Sequence, residues 1–316
     1  MAVAFTGAGW IPIETNPEVI QKVQQASAVE RFGHHVPMGS NTKYTPRSGG
    51  VHLGRWAKSQ SAPADSTGND SVLLNTDKIG GKVTIAEEDM SDSLASIVKT
   101  KSTDAATSYG KLFDNICLGV TASKATSGWG FDSLYYLLTQ ADATTGYTAN
   151  ANLTIGTSAA NAPTGFTYAA LNAALGLYEV GDFFDPAETV VIAHPGLASI
   201  LRGIVDGNQR PIFNESTSGD PGGGQGGGLK LFGHTLQWSL GAKTSATGSD
   251  TPTGKPFIVF GNRQFLQVGD RNPLALNFQD STNGIGVDTD ENVLYFRARK
   301  AFAPGAPGAF SMLVSA

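Results

Sequence analysis

Asn292-Val-Leu-Tyr-Phe-Arg-Ala-Arg-Lys-Ala-Phe302 reads as a single strand near the end of the chain, and its pattern decides what kind of fold the rest must build. Period-two alternation puts Val293, Tyr295, Arg297, Arg299 and Ala301 on one face, and Leu294, Phe296, Ala298, Lys300 and Phe302 on the other. Both faces are mixed, so the strand is expected to meet protein on each side. Two shorter strands precede it, Phe257 to Phe260 and Phe265 to Val268, bounded by Gly, Asn and Asp turn residues, and Pro307-Gly-Ala-Phe310 follows.

Working back from this segment, Gly233 to Ser239 is another strand, preceded by a glycine-rich loop from Ser216 to Gly228 that cannot pack a core of its own. Thr167 to Tyr178 predicts a helix, Thr189 to Ala193 a strand and Pro195 to Val205 a helix, an order that implies a small mixed sheet. The strongest helical signal runs from Ser93 to Gly119, where Leu94, Ile97, Val98, Ala105, Tyr109, Leu112, Phe113, Ile116 and Cys117 recur at steps of three and four. At ~1.5 Å per residue it would span ~40 Å and serve as a spine. Ser91 and Asp92 form its start, the acidic Glu87-Glu88-Asp89 complements its dipole, and Gly119 is its stop. Residues 120–165 read as surface connections with one helix near Phe131 to Thr139.

Residues 33–82 are polar and irregular, punctuated by Pro37, Pro46, Gly49-Gly50, Pro63 and Gly80-Gly81. Val51 to Lys58 and Ser71 to Leu74 are predicted as the arms of a long hairpin with Ser59 to Asp70 as its tip. Asn16-Pro17-Glu18 opens a short helix running to about Ala28. No repeat of 20 to 50 residues is visible, which removes solenoids and propellers.

With 316 residues, two packed units or one core with long excursions is expected. Charged residues make up 16% of the chain, below the typical quarter, while 39 glycines favour a loop-rich chain or one that buries outer surface in contacts. A net charge of -5 argues against a dedicated nucleic-acid binder, leaving weak, nonspecific contact with DNA. Cys117 is the only cysteine, which excludes an intrachain disulfide and fits intracellular synthesis. Neither a standard signal nor an apolar run near ~18 residues is present, so no membrane association is expected.

Chemistry finds little foothold. Pro221 to Lys230 lacks the Gly-Lys-Ser/Thr that would open a phosphate-binding helix. His34, His35, His52, His194 and His234 show no metal-ligand spacing, and no nucleophile elbow exists. No catalytic, cofactor or metal residue is nominated. The aromatics Trp10, Phe32 and Trp56 stand in segments without a core, where they either anchor onto a neighbouring subunit or pack locally.

The element order, together with His194-Pro-Gly-Leu-Ala-Ser-Ile-Leu-Arg-Gly-Ile-Val-Asp-Gly-Asn-Gln-Arg-Pro-Ile-Phe213, Leu231-Phe-Gly-His-Thr-Leu-Gln-Trp238 and the closing strands, resembles the tailed-phage major capsid proteins of the Hong Kong 97 type over nearly the whole chain. The resemblance implies an α+β fold with an N-terminal arm at 1–47, an extended β-hairpin loop at 48–84, a peripheral domain at 85–165 and 257–300, and an axial α/β domain at 166–256 and 301–316. It implies a non-enzymatic subunit that self-assembles as pentamers and hexamers into an icosahedral shell enclosing phage DNA, formed in the host cytoplasm and carried in the virion.

Some members of that family lock their shells with an isopeptide bond between an extended-loop lysine and a peripheral-domain asparagine, assisted by a glutamate. Lys58 matches the amine and Asn292 the acceptor, but Arg299 stands where the glutamate would be, so no autocatalytic crosslink is expected. Trp10, Phe32, Trp56, Lys58, Asn292 and Arg299 are the candidate inter-subunit contacts. The arm begins close to Met1, so a separate scaffolding protein is expected, alongside portal and decoration partners. The alternatives are an encapsulin-like compartment shell, and a hydrolase or carbohydrate-binding module.

Overall fold

The computed structural model describes residues 26–51, 53–64, 68–92, 96–156, 165–204, 230–280 and 289–315. Trp10, the start of the helix predicted from Asn16 and the glycine-rich loop at 216–228 lie outside them. At the far end of that predicted helix, Ser27 is extended and caps a new helix, α1 (Ala28–Phe32), by accepting from the Glu30 N–H at 3.1 Å.

Two sheets organise the chain. Strands β1 (His34–Pro37), β2 (Thr42–Ser48) and β3 (Asn69–Ala86) come first, followed by helices α2 (Glu87–Asp92) and α3 (Ile97–Leu118). The short helices α4 (Lys124–Ser127) and α5 (Leu134–Leu138) lead to β4 (Leu153–Ile155), and α6 (Tyr168–Glu179) to β5 (Thr189–Ala193) and α7 (Ala198–Arg202). The described chain resumes at β6 (Lys230–Leu231) and continues through β7 (His234–Trp238), β8 (Phe257–Asn262), β9 (Leu266–Gln279), β10 (Glu291–Pro304) and β11 (Phe310–Val314). The first sheet has the order β1-β9-β10-β3-β2, and the second β4-β11-β8-β5-β7-β6.

The spine helix exists, shorter than predicted: 22 residues, ~33 Å at ~1.5 Å per residue. Glu87-Glu88-Asp89 belongs to the separate helix α2 instead of the spine's first turn. Gly119 ends the spine as expected, for a packing reason: a Cβ there would lie 2.2 Å from the Lys243 carbonyl oxygen. Phe113 to Leu118 are all buried because the core closes around the last turns of the helix.

Strand β8 explains how the two halves are joined. Phe257 and Val259 enter the core built on Phe113 and Ile116 of α3, while Ile258 and Phe260 enter a second core with Leu171, Leu175 and Tyr178 of α6. A strand buried on both faces reads as a continuous apolar run, as Phe-Ile-Val-Phe does. The resemblance puts 257–300 with 85–165 in one domain, whereas the strands of 257–300 divide between the sheets: β8 pairs with β5 and β11 in the second, and β9 and β10 pair in the first. The boundary drawn at residue 301 likewise cuts through β10, which runs unbroken to Pro304.

In the closing strand, Leu294, Phe296, Ala298, Lys300 and Phe302 are buried, while Arg297 and Arg299 are exposed. Within one chain, that strand therefore has one covered face and one open face along 295–300. No helix among the described residues is long and apolar enough to cross a membrane.

Candidate assembly surface

One strand carries the excursion. Over Asn69 to Asn75, β3 pairs with β2, from Ser48 opposite Asn69 to Thr42 opposite Asn75. From Thr76 onward the same strand pairs with β10, ending with Ala86 opposite Glu291. The hairpin is thus an extension of a sheet strand, and the sheet aims it. The Asn75 side chain donates to the Gly130 carbonyl at 3.0 Å and Asp77 accepts from the Gly130 N–H at 2.9 Å, which pins the point of exchange.

The first arm is Thr42–Ser48, and not the predicted Val51 to Lys58. Pro46 argues against a strand in sequence terms, but β2 is an edge strand, where a missing N–H is tolerated. Gly50 takes φ +86, a left-handed conformation that ends the ladder. At the base of the excursion, the Arg47 guanidinium reaches Asp70 at 2.8 Å, Asp142 at 2.7 Å and the Gly305 carbonyl at 2.9 Å. Arg47 holds the Asp70 carboxyl below its ordinary value. This anchor escaped the sequence reading, because its partners are distant in the chain.

Beyond Arg47 the arm finds little to pack against among the described residues. Val51, Leu53 and Trp56 are 73%, 94% and 66% exposed. The Trp56 indole N–H donates to the Gln60 carbonyl at 2.6 Å, and Ser59 takes φ 66 in the same turn, which holds Lys58 at the surface. Val51 and Leu53 fall in the predicted arm but not among the contact candidates, although two apolar residues spaced by two in a polar stretch were the available signal. These apolar side chains stand exposed on a rooted arm.

The remaining candidates divide. Arg299 is exposed on the open face of β10, opposite Lys78 and Asn272. Asn292 is 1% exposed, paired with Ile85 and with its amide 3.8 Å from Met90 Sδ, so within the chain it is covered. Phe32 is half-buried at the margin of the core around α3, with the Arg31 guanidinium 5.7 Å from its ring centre.

Two buried polar clusters hold the surface in place. Asp114 on α3 accepts from the N–H groups of Ala28 at 2.9 Å and Val29 at 3.0 Å, and from the hydroxyls of Ser27 and Ser239. Burial pushes its carboxyl up, against the pull of these four donors. Asn115, the next residue, donates to the carbonyls of Gly241 at 3.0 Å and Lys243 at 2.6 Å. A charged residue inside an otherwise apolar helical stretch was the sequence signal for this hub. The second cluster joins Lys300 to Asp270 at 2.7 Å and Glu30 at 2.9 Å.

Other reactive groups have structural roles. His194 Nδ1 accepts from the Gly196 N–H at 2.9 Å, capping the turn before α7, and burial lowers its pKa to about 4. Cys117 lies in the core, and burial pushes its thiol up. Among the described residues no group of three His, Cys, Asp or Glu converges as a metal site.

The described chain is thus a spine helix with two sheets and a rooted arm whose apolar residues are exposed. The chain belongs to the phage capsid family, whose model matches residues 7–314. Its fold is similar to a solved structure from Mycobacterium phage Ogopogo at TM-score 0.70 and 16% identity, covering 100% of each chain. A structure from Mycobacterium phage Bobi gives TM-score 0.70 and 15% identity over 97% of this chain and 96% of that one. The capsid of a native GTA particle gives TM-score 0.68 and 13% identity over 100% and 99%. No curated protein matches the chain. The fold is the α+β tailed-phage capsid fold, and the chain is a structural major capsid protein.

Proposed function

We propose that this chain assembles as pentamers and hexamers into an icosahedral shell enclosing double-stranded DNA, and that the shell is held by noncovalent contacts. The observation that carries this reading is the arm: anchored at Arg47, it leaves Val51, Leu53 and Trp56 exposed, and these residues gain ~25 cal/mol per Å² only when another surface covers them. Many moderate contacts of this kind, repeated by symmetry, close a shell. Trp56, Lys58 and Arg299 are accessible contact residues, and Trp10 remains a candidate. The role is structural and needs no cofactor.

Two features favour a shell without covalent crosslinks. Arg299 stands in place of the carboxylate that would take the lysine proton, and Asn292 is covered. In this reading the first sheet with α3 forms the peripheral unit, and the second sheet with α6 and α7 the axial one. Assembly takes place in the host cytoplasm with separate scaffolding, portal and decoration proteins, and contact with the packaged DNA is weak and nonspecific.

Size-exclusion chromatography of the purified chain followed by negative-stain microscopy tests the proposal. Shells, capsomers or tubes are expected, and a chain that stays monomeric at every concentration would overturn it. Nuclease-resistant DNA in particles recovered from infected cells separates a genome shell from a compartment for cargo enzymes.

A further inference from the structure

The open face of the first sheet is cationic. Arg299 lies directly opposite Lys78, Arg297 opposite Gly80, and Tyr295 opposite Lys82, so four cations occupy one face of two adjacent strands. All four are exposed, and none makes an ion pair among the described residues. On the β9 side Asn272 faces Arg299 and Ala275 faces Arg297, so no carboxylate is supplied there either. A depression of about 390 Å³ lies between Lys78, Asn272, Arg297 and Arg299. Like charges placed directly across a sheet destabilise it unless an anion joins them.

The same sheet carries the opposite charge at its far end. Where β3 turns into α2 and β10 begins, Glu87, Glu88, Asp89, Asp290 and Glu291 come together, with the Glu87 N–H bonded to the Asp290 carbonyl at 3.1 Å. Crowding is evident: the Glu87 carboxylate beside Asp290 pushes the Asp290 carboxyl up. Along the strands the two regions are set apart, from four steps (~14 Å at ~3.4 Å per residue) between Glu291 and the Tyr295–Lys82 pair to eight steps (~27 Å) between Glu291 and the Arg299–Lys78 pair.

We propose that the Lys78, Lys82, Arg297, Arg299 face receives the Glu87, Glu88, Asp290 corner of a second copy of this chain. Because the two surfaces differ and sit apart on one sheet, the contact is head-to-tail, and it propagates from copy to copy until rotation closes a ring. A phosphate backbone is the less favoured occupant: the chain carries net charge -5, and its acidic corner supplies the complementary partner in equal stoichiometry. The inference rests on the shell reading. An unassembled wild-type chain would count against that reading, whereas wild-type particles indifferent to charge reversal would count against this contact alone.

The test is a charge swap on the full chain. Arg297→Glu with Arg299→Glu, and separately Glu88→Lys with Asp290→Lys, are each expected to lower the yield of sedimenting particles by about tenfold. All four changes in one chain are expected to restore the yield to within about twofold, because reversed faces attract again. Circular dichroism melts confirm that each variant is folded, and the milder Arg297→Gln with Arg299→Gln replaces any reversal that is not. Wild-type yield from both reversals, or no recovery from the combined swap in a folded chain, overturns the proposal. So does normal assembly accompanied by loss of retained DNA, which would assign the face to phosphate.

Discussion

Lys300 and Asp270 face each other across the β9–β10 pair, the ammonium 2.7 Å from the carboxylate and only 7% exposed. Glu30 of α1 closes on the same ammonium at 2.9 Å and accepts from the Tyr109 hydroxyl at 2.9 Å, while His35 Nδ1 lies 2.6 Å from Asp270. One buried cation thus ties α1, β1, α3, β9 and β10 together. Lys300→Met leaves two carboxylates facing each other without their cation. Because both are about a third exposed, the expected loss is about 2 kcal/mol, less than for a fully buried pair. Urea unfolding of the unassembled chain checks it.

The same cluster gives a pH dependence. Partial burial pulls the His35 imidazole down, but the Glu30 carbonyl and the Asp270 carboxylate outweigh it and hold its pKa above the ordinary 6.5. A pKa raised on folding adds stability that is fully present below pH ~6.5 and is lost as pH rises through the folded value. The stability difference between wild type and His35→Gln should therefore be larger at pH 6 than at pH 9. Equal differences at both would remove His35 from the account.

Asp114→Ala should destabilise the chain by about 3 kcal/mol, since it strands two backbone N–H groups and two hydroxyls in the interior. Denaturant unfolding measures the loss. Amide exchange at Ala28 and Val29 should quicken more than exchange elsewhere in the sheet, and uniform quickening would argue against a local capping role.

Arg47→Ala should loosen the root of the arm without unfolding the body. Loss of charge-assisted bonds worth about 1.5 kcal/mol predicts roughly tenfold faster exchange across Thr42–Ser48. Hydrogen exchange with mass spectrometry reads this directly. Unchanged protection in β2 would show that strand pairing alone holds it.

Replacing Val51, Leu53 and Trp56 with serine should leave the folded chain within about 0.5 kcal/mol of wild type, because none is buried in it. Particle yield should nevertheless collapse. Normal particles by microscopy would deny the arm its role.

Denaturing electrophoresis of mature particles should give a single monomer band, with no ladder of linked chains. Ladders would mean that a base other than residue 299 serves the lysine and that Asn292 becomes uncovered in the shell.

Much of this protein was legible in local sequence. Gly119 stops α3 as predicted, the helix predicted from Thr167 to Tyr178 forms as Tyr168–Glu179 with Thr167 as its cap, and the strand Thr189–Ala193 forms with the predicted bounds, because caps and periodicity act within a few residues. Alternation sorted the closing strand into its two faces, but both are mixed in sequence, and only the structure shows that Leu294, Phe296, Ala298, Lys300 and Phe302 are the face the chain itself covers. What sequence could not supply was pairing over distance. Only the tertiary structure shows β3 changing partners between Asn75 and Thr76, β8 joining the second sheet, and Asp114 capping a helix 86 residues away. Sheet partnership and buried charge pairs depend on which segments pack together across the whole chain, and no local pattern encodes that choice. The sequence determined the elements whose caps and periodicity are local, such as α3, α6 and β5, but not the arm, whose first strand is Thr42–Ser48. The fold decided which residues the chain covers itself and which it leaves for another copy.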